Sequence, residues 1–354
     1  MKKILMFIDS IGYGGAQFQF VNLAKLLCEK GYDVRILVVY DEFDFYKDKL
    51  EGISIDCIQS AKNKYLRVAK LVRYIMKYSP DVVISYLDSQ CIISSIARIF
   101  SKFSLIVSER NTTQKITLKE RIKFFLYKYA DYIVPNSYSQ AKWICKHYPK
   151  YENKIRVITN MLDHDTFYSA LSVQVNDEPI VVSVGRNEPQ KNYLNMVEAV
   201  RILRERNVCA KFHWYAGTNN TDYYIGVNEK IKNYGLNDMI FIFDPVKNIA
   251  DVYRQSDVFW LASFYEGFPN VLCEAMACGL PVAVSDVCDN GLIADNDYLF
   301  DPSNPEDMAN KLESLINLSL EEKRLVSEKN QIKIKELCSK ETFINKYIEL
   351  LCYK

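Results

Sequence analysis

The sequence predicts an α/β protein of two doubly wound domains, each built on a parallel sheet. Three observations carry this. Short apolar runs rich in Val and Ile recur along the chain, continuous rather than alternating, as strands covered on both faces read. Stretches with apolar residues at helical spacing separate them, and such strand–helix alternation makes a parallel sheet. The alternation breaks in an irregular polar stretch, 163–179, and then restarts. In a chain of 354 residues that break divides two cores of ordinary size.

In the first half the strand candidates are Lys3–Ile8, Val34–Val39, Ser54–Ile58, Val82–Tyr86, Leu105–Ser108, Tyr132–Pro135 and Arg156–Ile158. Between the first two, Ala16, Phe20, Leu23, Ala24 and Leu27 fall on one helical face, and Gly31 closes that helix. In the second half the candidates are Ile180–Val184, Phe212–Tyr215, Ile240–Phe243, Val258–Leu261 and Pro281–Val284, followed by a charged helical region from Pro305 to Lys354. Domain bounds are expected near 1–165 and 176–339. No internal repeat or low-complexity segment is found.

Composition and charge narrow the class. The chain is 49% hydrophobic and 25% charged, as globular proteins are. Its net charge is +1, but residues 1–160 hold 26 Lys/Arg against 15 Asp/Glu, and the remainder 19 against 29. Such asymmetry points the first half at an anionic partner: nucleic acid, a membrane surface or a diphosphate-linked substrate would each serve. The ten cysteines form no Cys-x2-Cys pair and there are three histidines, His147, His164 and His213, so a zinc site is not expected and the cysteines read as reduced thiols of a cytosolic protein. The apolar run after Met1-Lys-Lys ends at Asp9, too early for a signal peptide, and no segment approaches the ~18 apolar residues that span a bilayer.

The most informative segment is Glu266-Gly-Phe-Pro-Asn-Val-Leu-Cys-Glu274, which runs into Ala-Met-Ala-Cys-Gly-Leu-Pro281. It follows a strand candidate and opens a short helix around Asn270, which Gly279 and Pro281 end. Glu266 sits at the helix mouth and Glu274 one turn inside. Free N–H groups at such a mouth favour an anion or an oxygen-rich ligand. Upstream, strand Ile180–Val184 ends in Gly185-Arg186, with Lys191 five residues on. A guanidinium that forks onto two oxygens and an ammonium point charge suit a diphosphate. Near the N-terminus, Gly12-Tyr-Gly14-Gly15-Ala-Gln17 joins the first strand to the first helix, and its glycines allow close backbone approach to a ligand.

The Glu266–Glu274 segment resembles the Glu-x7-Glu signature of glycosyltransferase family 4, and Gly185-Arg186…Lys191 resembles that family's basic motif. The resemblance spans nearly the whole chain and is strongest over 180–302. It implies the GT-B fold, two Rossmann-like domains facing across a cleft. The first would bind acceptor, and the second a nucleotide sugar. A C-terminal helix at about 340–354 would pack back on the first through Phe343, Tyr347, Leu350 and Leu351. It further implies retaining transfer of a hexose or N-acetylhexosamine from a UDP-sugar, as in bacterial capsule or O-antigen assembly, onto a lipid-linked or oligosaccharide acceptor.

The resemblance assigns Arg186, Lys191 and Glu266 to catalysis, and Gly15, Val246, Gly267, Phe268, Pro269, Asn270 and Glu274 to the donor, Glu274 holding ribose hydroxyls. Gly14, Glu109, Arg110, Asn111 and Asn160 are acceptor-side or interdomain candidates. Many family members carry a histidine near Glu109; this chain does not, and Glu109 or Asn111 is expected to line the cleft instead. No Asp-x-Asp lies between suitable strands, so neither cofactor nor metal is expected. Nor is a nucleic-acid partner.

Leu118, Ile122, Phe125 and Tyr129 share a helical face among Lys115, Lys119, Arg121, Lys123 and Lys128, with Lys62, Lys64, Arg67, Lys70, Arg73 and Lys77 earlier in the chain. This pattern fits a helix lying on the inner face of an anionic cell membrane, and equally a surface helix packed on a sheet. Two other function classes stay open. A nicotinamide-dependent oxidoreductase would use Gly12–Gln17, although Gln17 stands where the third glycine belongs. A non-catalytic protein could keep the fold, and within the fold a sugar-nucleotide epimerase or a phosphorylase is also conceivable.

Overall fold

The computed structural model describes residues 1–12, 14–42, 46, 49–58, 63–168, 176, 178–218 and 221–352, the side chain of Lys64 excepted. Tyr13, Lys62 and most of 169–177 lie outside the described residues. The chain divides into two compact units, Met1–Met161 with Lys340–Lys354, and Leu162–Ser339.

The first unit runs β1 (Lys3–Phe7), α1 (Gly15–Glu29), β2 (Asp33–Val38), β3 (Ser54–Cys57), α2 (Lys64–Tyr78), β4 (Val82–Tyr86), α3 (Asp88–Phe100), β5 (Ser104–Glu109), α4 (Leu118–Leu126), β6 (Tyr132–Pro135) and α5 (Tyr138–His147). Its six strands are parallel in the order β3-β2-β1-β4-β5-β6. The order reverses direction between β1 and β4, the place where open α/β sheets bind ligands. Strand residues are buried on both sides: Ile4 and Met6 pack with α1, while Leu5 and Phe7 pack with α2 and α3. This is why the strands lack alternation.

The second unit runs β7 (Ile180–Val184), α6 (Tyr193–Glu205), β8 (Lys211–Tyr215), α7 (Asp222–Asn233), β9 (Ile240–Phe243), α8 (Ile249–Arg254), β10 (Val258–Leu261), α9 (Asn270–Ala277), β11 (Val282–Ser285), α10 (Asn290–Ile293), β12 (Leu299–Phe300), α11 (Pro305–Ile316) and α12 (Leu320–Leu337). Its parallel order, β12-β11-β10-β7-β8-β9, reverses between β10 and β7. The charged C-terminal region becomes three helices because Asn304 caps α11, Ser319 and Glu322 form a capping box on α12, and a third helix, α13 (Lys340–Cys352), follows. α13 belongs to the first unit. It buries Phe343, Ile344, Tyr347, Leu350 and Leu351 in the α1 face of the core, and Lys2 Nζ donates to Leu351 O at 2.6 Å near its C-terminal end.

One expectation is corrected, and two features go beyond the sequence reading. Arg156–Ile158 is no strand: its backbone donates from Arg156 to Ile133 and from Ile158 to Pro135, with one isolated bridge between Ile133 and Ile155, too little for a ladder. β12 is two residues long, too short to show as an apolar run. Of the two readings left open for α4, packing of its apolar side on the sheet is not what is found: that side faces outward. Leu118, Ile122 and Phe125 are 74%, 48% and 58% exposed, while Lys123 and Phe124 are buried. Lys123 can lie inside because its ammonium meets Glu109 at 2.8 Å and Asp88 at 3.0 Å.

Candidate active site

At the carboxyl end of β7 the chain passes Gly185, takes a short 3-10 turn at Pro189–Lys191 and enters α6 through Asn192 in the left-handed conformation, φ 64°. At the carboxyl end of β10 it crosses 262–269 and enters α9, whose first turn has no side-chain cap. β7 and β10 are neighbours at the point where the second sheet's order reverses. The two loops are stitched together. Asn192 Nδ2 donates to Ala262 O at 3.1 Å, Gln190 Nε2 to Tyr265 O at 2.8 Å, and the amide of Phe264 to Gln190 O at 2.9 Å.

This stitching sets the charged groups. Lys191 Nζ lies 2.6 Å from Glu266 Oε1, and Ser263 Oγ donates to the same oxygen at 2.5 Å. Lys191 and Glu266 side chains are 15% and 10% exposed, so the pair is partly shielded from water. The stem of Lys191 crosses directly over Gly185: a Cβ there would sit 2.8 Å from Lys191 Cε and 3.0 Å from Cδ. Gly185→Ala should therefore push the ammonium off Glu266 and lower turnover, with a fall in melting temperature smaller than that of removing the ammonium altogether; turnover equal to wild type would show that the close approach is unimportant. Arg186 differs: its side chain is 78% exposed, held only loosely at 3.2 Å from Glu188, and can swing onto a ligand.

Glu274 lies one turn into α9. Among the described residues its hydrogen bond comes from Tyr253 Oη on α8, at a long 3.4 Å. Burial raises its carboxyl to about 7, and the Tyr253 hydroxyl offsets only part of that. A carboxyl so enclosed and so poorly bonded suits a ligand that brings its own donors. Between the two acids, Phe268 is 7% exposed and packs in the core beneath α9, and Asn270 N donates to Phe268 O at 3.0 Å, shaping the Gly267–Asn270 turn. Val246 is 40% exposed in the loop after β9. Gln190, Asn192, Tyr253 and Ser263 were not singled out in the sequence; only Asn192, just before a helix, carried a local signal for its turn.

The first-unit candidates separate. Gly14 precedes α1, where a Cβ would collide with the Gln17 side chain, and Gly15 is the first residue of that helix. Glu109 is 3% exposed and accepts from Lys123 and from the Tyr127 hydroxyl, so it faces the interior and cannot line a cleft. Arg110 and Asn160 are buried too. The Arg110 guanidinium lies 4.1 Å over the Tyr86 ring and donates to Asn160 Oδ1 at 2.8 Å, Tyr347 Oη at 2.9 Å and the Tyr86 hydroxyl, tying α13 to the sheet. Asn111 alone of this group is exposed, beyond the end of β5.

Family models cover most of the chain: Glycosyltransferase Family 4 matches residues 13–166 and Glycosyl transferases group 1 matches 168–333. A Campylobacter jejuni relative, N-acetylgalactosamine-N,N'-diacetylbacillosaminyl-diphospho-undecaprenol 4-alpha-N-acetylgalactosaminyltransferase, is 25% identical over 303 residues, 81% of each chain. A second from that organism, GalNAc-alpha-(1->4)-GalNAc-alpha-(1->3)-diNAcBac-PP-undecaprenol alpha-1,4-N-acetyl-D-galactosaminyltransferase, is 27% identical over 349 residues, 94% of this chain and 93% of its own. Among solved structures, Anabaena HepE in complex with UDP and glucose superposes with a TM-score of 0.86 over 100% of both chains at 17% identity, a likeness of fold.

Proposed function

Because the chain belongs to glycosyltransferase family 4 and has its GT-B fold, we propose that it transfers a hexose or N-acetylhexosamine from a UDP-sugar to a lipid-linked or polysaccharide acceptor in bacterial surface-glycan assembly, such as that of capsule or O-antigen, with anomeric configuration retained. The observation that carries the proposal is the pairing of Lys191 with Glu266 beside the under-bonded Glu274, all at the switch point of the second sheet. The Campylobacter relatives, whose names describe N-acetylgalactosaminyl transfer to saccharides on diphospho-undecaprenol, support the acceptor class.

In this reading the second unit holds the donor. UDP departs with growing negative charge while the sugar carbon becomes cation-like. Lys191 and the exposed Arg186 neutralise the diphosphate more strongly in that state than in the bound donor. Glu266 and Ser263 fix Lys191 before substrate arrives, so little reorganisation is needed. Glu266, with the Gly267–Asn270 turn, faces the donor sugar. Val246 flanks the donor, and Glu274 accepts from the ribose hydroxyls. Gly14 and Gly15, at the start of α1, leave the first unit's backbone open to close approach by its own ligand. Since two protein cations serve the diphosphate, transfer should proceed in EDTA; loss of activity restored by Mg²⁺ would contradict this part.

No helix among the described residues is long and apolar enough to cross a membrane. The outward apolar side of α4, among lysines, instead suits peripheral contact with the anionic inner face of a cell membrane, each basic group contributing ~1 kcal/mol. Binding to phosphatidylglycerol vesicles should exceed binding to phosphatidylcholine vesicles and fall with salt; equal binding to both would count against it. The transfer reading itself is tested by incubating the protein with UDP-sugars and undecaprenyl-diphospho-saccharides and determining the product anomer by NMR. An α-linked product from an α-donor supports it; hydrolysis or epimerisation of UDP-sugars with no acceptor dependence would overturn it.

A further inference from the structure

The Lys191–Glu266 pair has a support that runs deeper into the second unit. The backbone ladder between β10 and β11 ends at Leu261 and Val284. Past that point β10 becomes the loop that carries Ser263 and Glu266, while β11 stays paired to β12 through Ser285 and Phe300. The Ser285 side chain bridges the gap: its Oγ donates to Ser263 O at 2.7 Å. Asn290, the first residue of α10, closes on Ser285 in turn. Its Nδ2 donates to Ser285 O at 2.9 Å and, at a long 3.4 Å, to Ser285 Oγ. The amide of Val287 takes the same carbonyl at 2.9 Å, so both lone pairs of Ser285 O are engaged.

The direction of each bond is forced. Ser263 O can only accept, so the single hydroxyl proton of Ser285 is committed to it. Ser285 O likewise requires the NH2 side of the Asn290 carboxamide rather than its oxygen. Among the described residues, Asn290 Oδ1 is therefore left buried without a partner, an unfavourable placement that accompanies the donor turned toward Ser285. Ser263 also has one hydroxyl proton, and it goes to Glu266 Oε1 at 2.5 Å, the oxygen that Lys191 Nζ meets at 2.6 Å. Ser263, Ser285 and Asn290 are fully buried. Away from bulk water such bonds are stronger and polarise one another.

We propose that Ser285 and Asn290 are positioning residues for sugar transfer, holding Lys191 in place through Ser263 and Glu266. Asn290 fixes Ser285, and Ser285 fixes the Ser263 peptide. The Ser263 hydroxyl then pins the carboxylate on which the ammonium rests. Lys191 thereby keeps its place while charge builds on the departing diphosphate, when a displacement of about 1 Å is costly in rate. Neither residue needs to touch a ligand. The role in turnover rests on the transferase reading; the hold on Lys191 does not.

The test is a set of variants assayed for transfer well below their melting temperatures. Ser285→Ala should lower kcat by about tenfold or more and leave KM for the UDP-sugar near its wild-type value, because the loss falls on the transition state. Asn290→Ala should act in the same direction. Ser263→Ala should lower kcat at least as far as Ser285→Ala does, and combining the two should bring no further loss, since the chain of bonds is already cut. Ser183→Ala is the comparison. Ser183 Oγ, on β7, donates to Trp260 O at 2.5 Å, another buried bond to β10, but at a residue inside the ladder. Its loss should lower the melting temperature and spare kcat. Wild-type kcat in Ser285→Ala, a full further loss in the double variant, or an equal loss in Ser183→Ala would overturn the proposal and leave Ser285 a structural brace. If Asn290→Ala fails to fold, the serine variants decide. A second readout needs no transfer: the ammonium 15N–1H signal of labelled lysine, assigned to Lys191 by its loss in Lys191→Met. It should be visible in the wild type and broadened in Ser285→Ala by faster exchange with water. That change in a protein that transfers no sugar would remove the transferase reading and keep the hold on Lys191. A signal missing from the wild type, or unaltered in Ser285→Ala, would overturn the hold even where transfer is active.

Discussion

Lys191→Met should lower kcat by about 10²–10³-fold, the cost of removing one preorganised group from developing charge. It should also destabilise the fold, because Glu266 stays behind at 8% exposure without its ion-pair partner. That loss should fall below the ~3–5 kcal/mol of a fully buried pair, since both side chains keep some contact with water. The two effects separate in a double variant. Lys191→Met with Glu266→Gln removes the stranded charge and should recover most of the melting temperature while activity stays lost. Activity returning together with stability would reduce Lys191 to a structural role.

Glu274→Gln should act in opposite directions on stability and on donor binding. The carboxyl is raised from 4.5 to about 7 by burial, so the folded protein holds this proton more tightly than the unfolded chain does. Its contribution is therefore fully present below pH 4.5 and is lost as pH rises to about 7. The loss is at most about 3 kcal/mol, and less because the residue is partly exposed to screening solvent. The amide has no charge to bury, so the variant should melt higher than wild type at pH 8 and match it near pH 4. UDP should bind it about 10–100-fold more weakly, as expected when a hydrogen bond to a charged group is lost. Wild-type affinity for UDP should rise through pH 7 as the carboxyl ionises, and the variant's profile should be flat there. Unchanged UDP affinity in Glu274→Gln would remove the ribose role.

The parts of this protein that were legible in the sequence are those whose cause is local. Val82–Tyr86, Ile180–Val184 and Val258–Leu261 are strands at the expected residues because a doubly buried strand needs an unbroken apolar run. The start of α9 at Asn270 follows from the Pro269 that precedes it. What was hidden depends on partners far along the chain. Lys191 and Glu266 meet across 75 residues, and the order in which β7 and β10 pair decides that meeting. Tyr253 reaches Glu274 from α8, a helix that carried no motif. Glu109 read as a ligand group because it ends a strand, yet Lys123 and Tyr127 turn it inward. The same buried lysine explains why α4 sits opposite to its apolar pattern: the periodicity located the stripe, but only the Asp88 and Glu109 carboxylates decide which side enters the core.

The most direct test of the account is a crystal structure with UDP. The diphosphate should lie within hydrogen-bond reach of Lys191 and Arg186, with Arg186 released from Glu188, and the ribose hydroxyls should donate to Glu274. UDP bound anywhere else, out of reach of Lys191 and with Arg186 still in solvent, would contradict it.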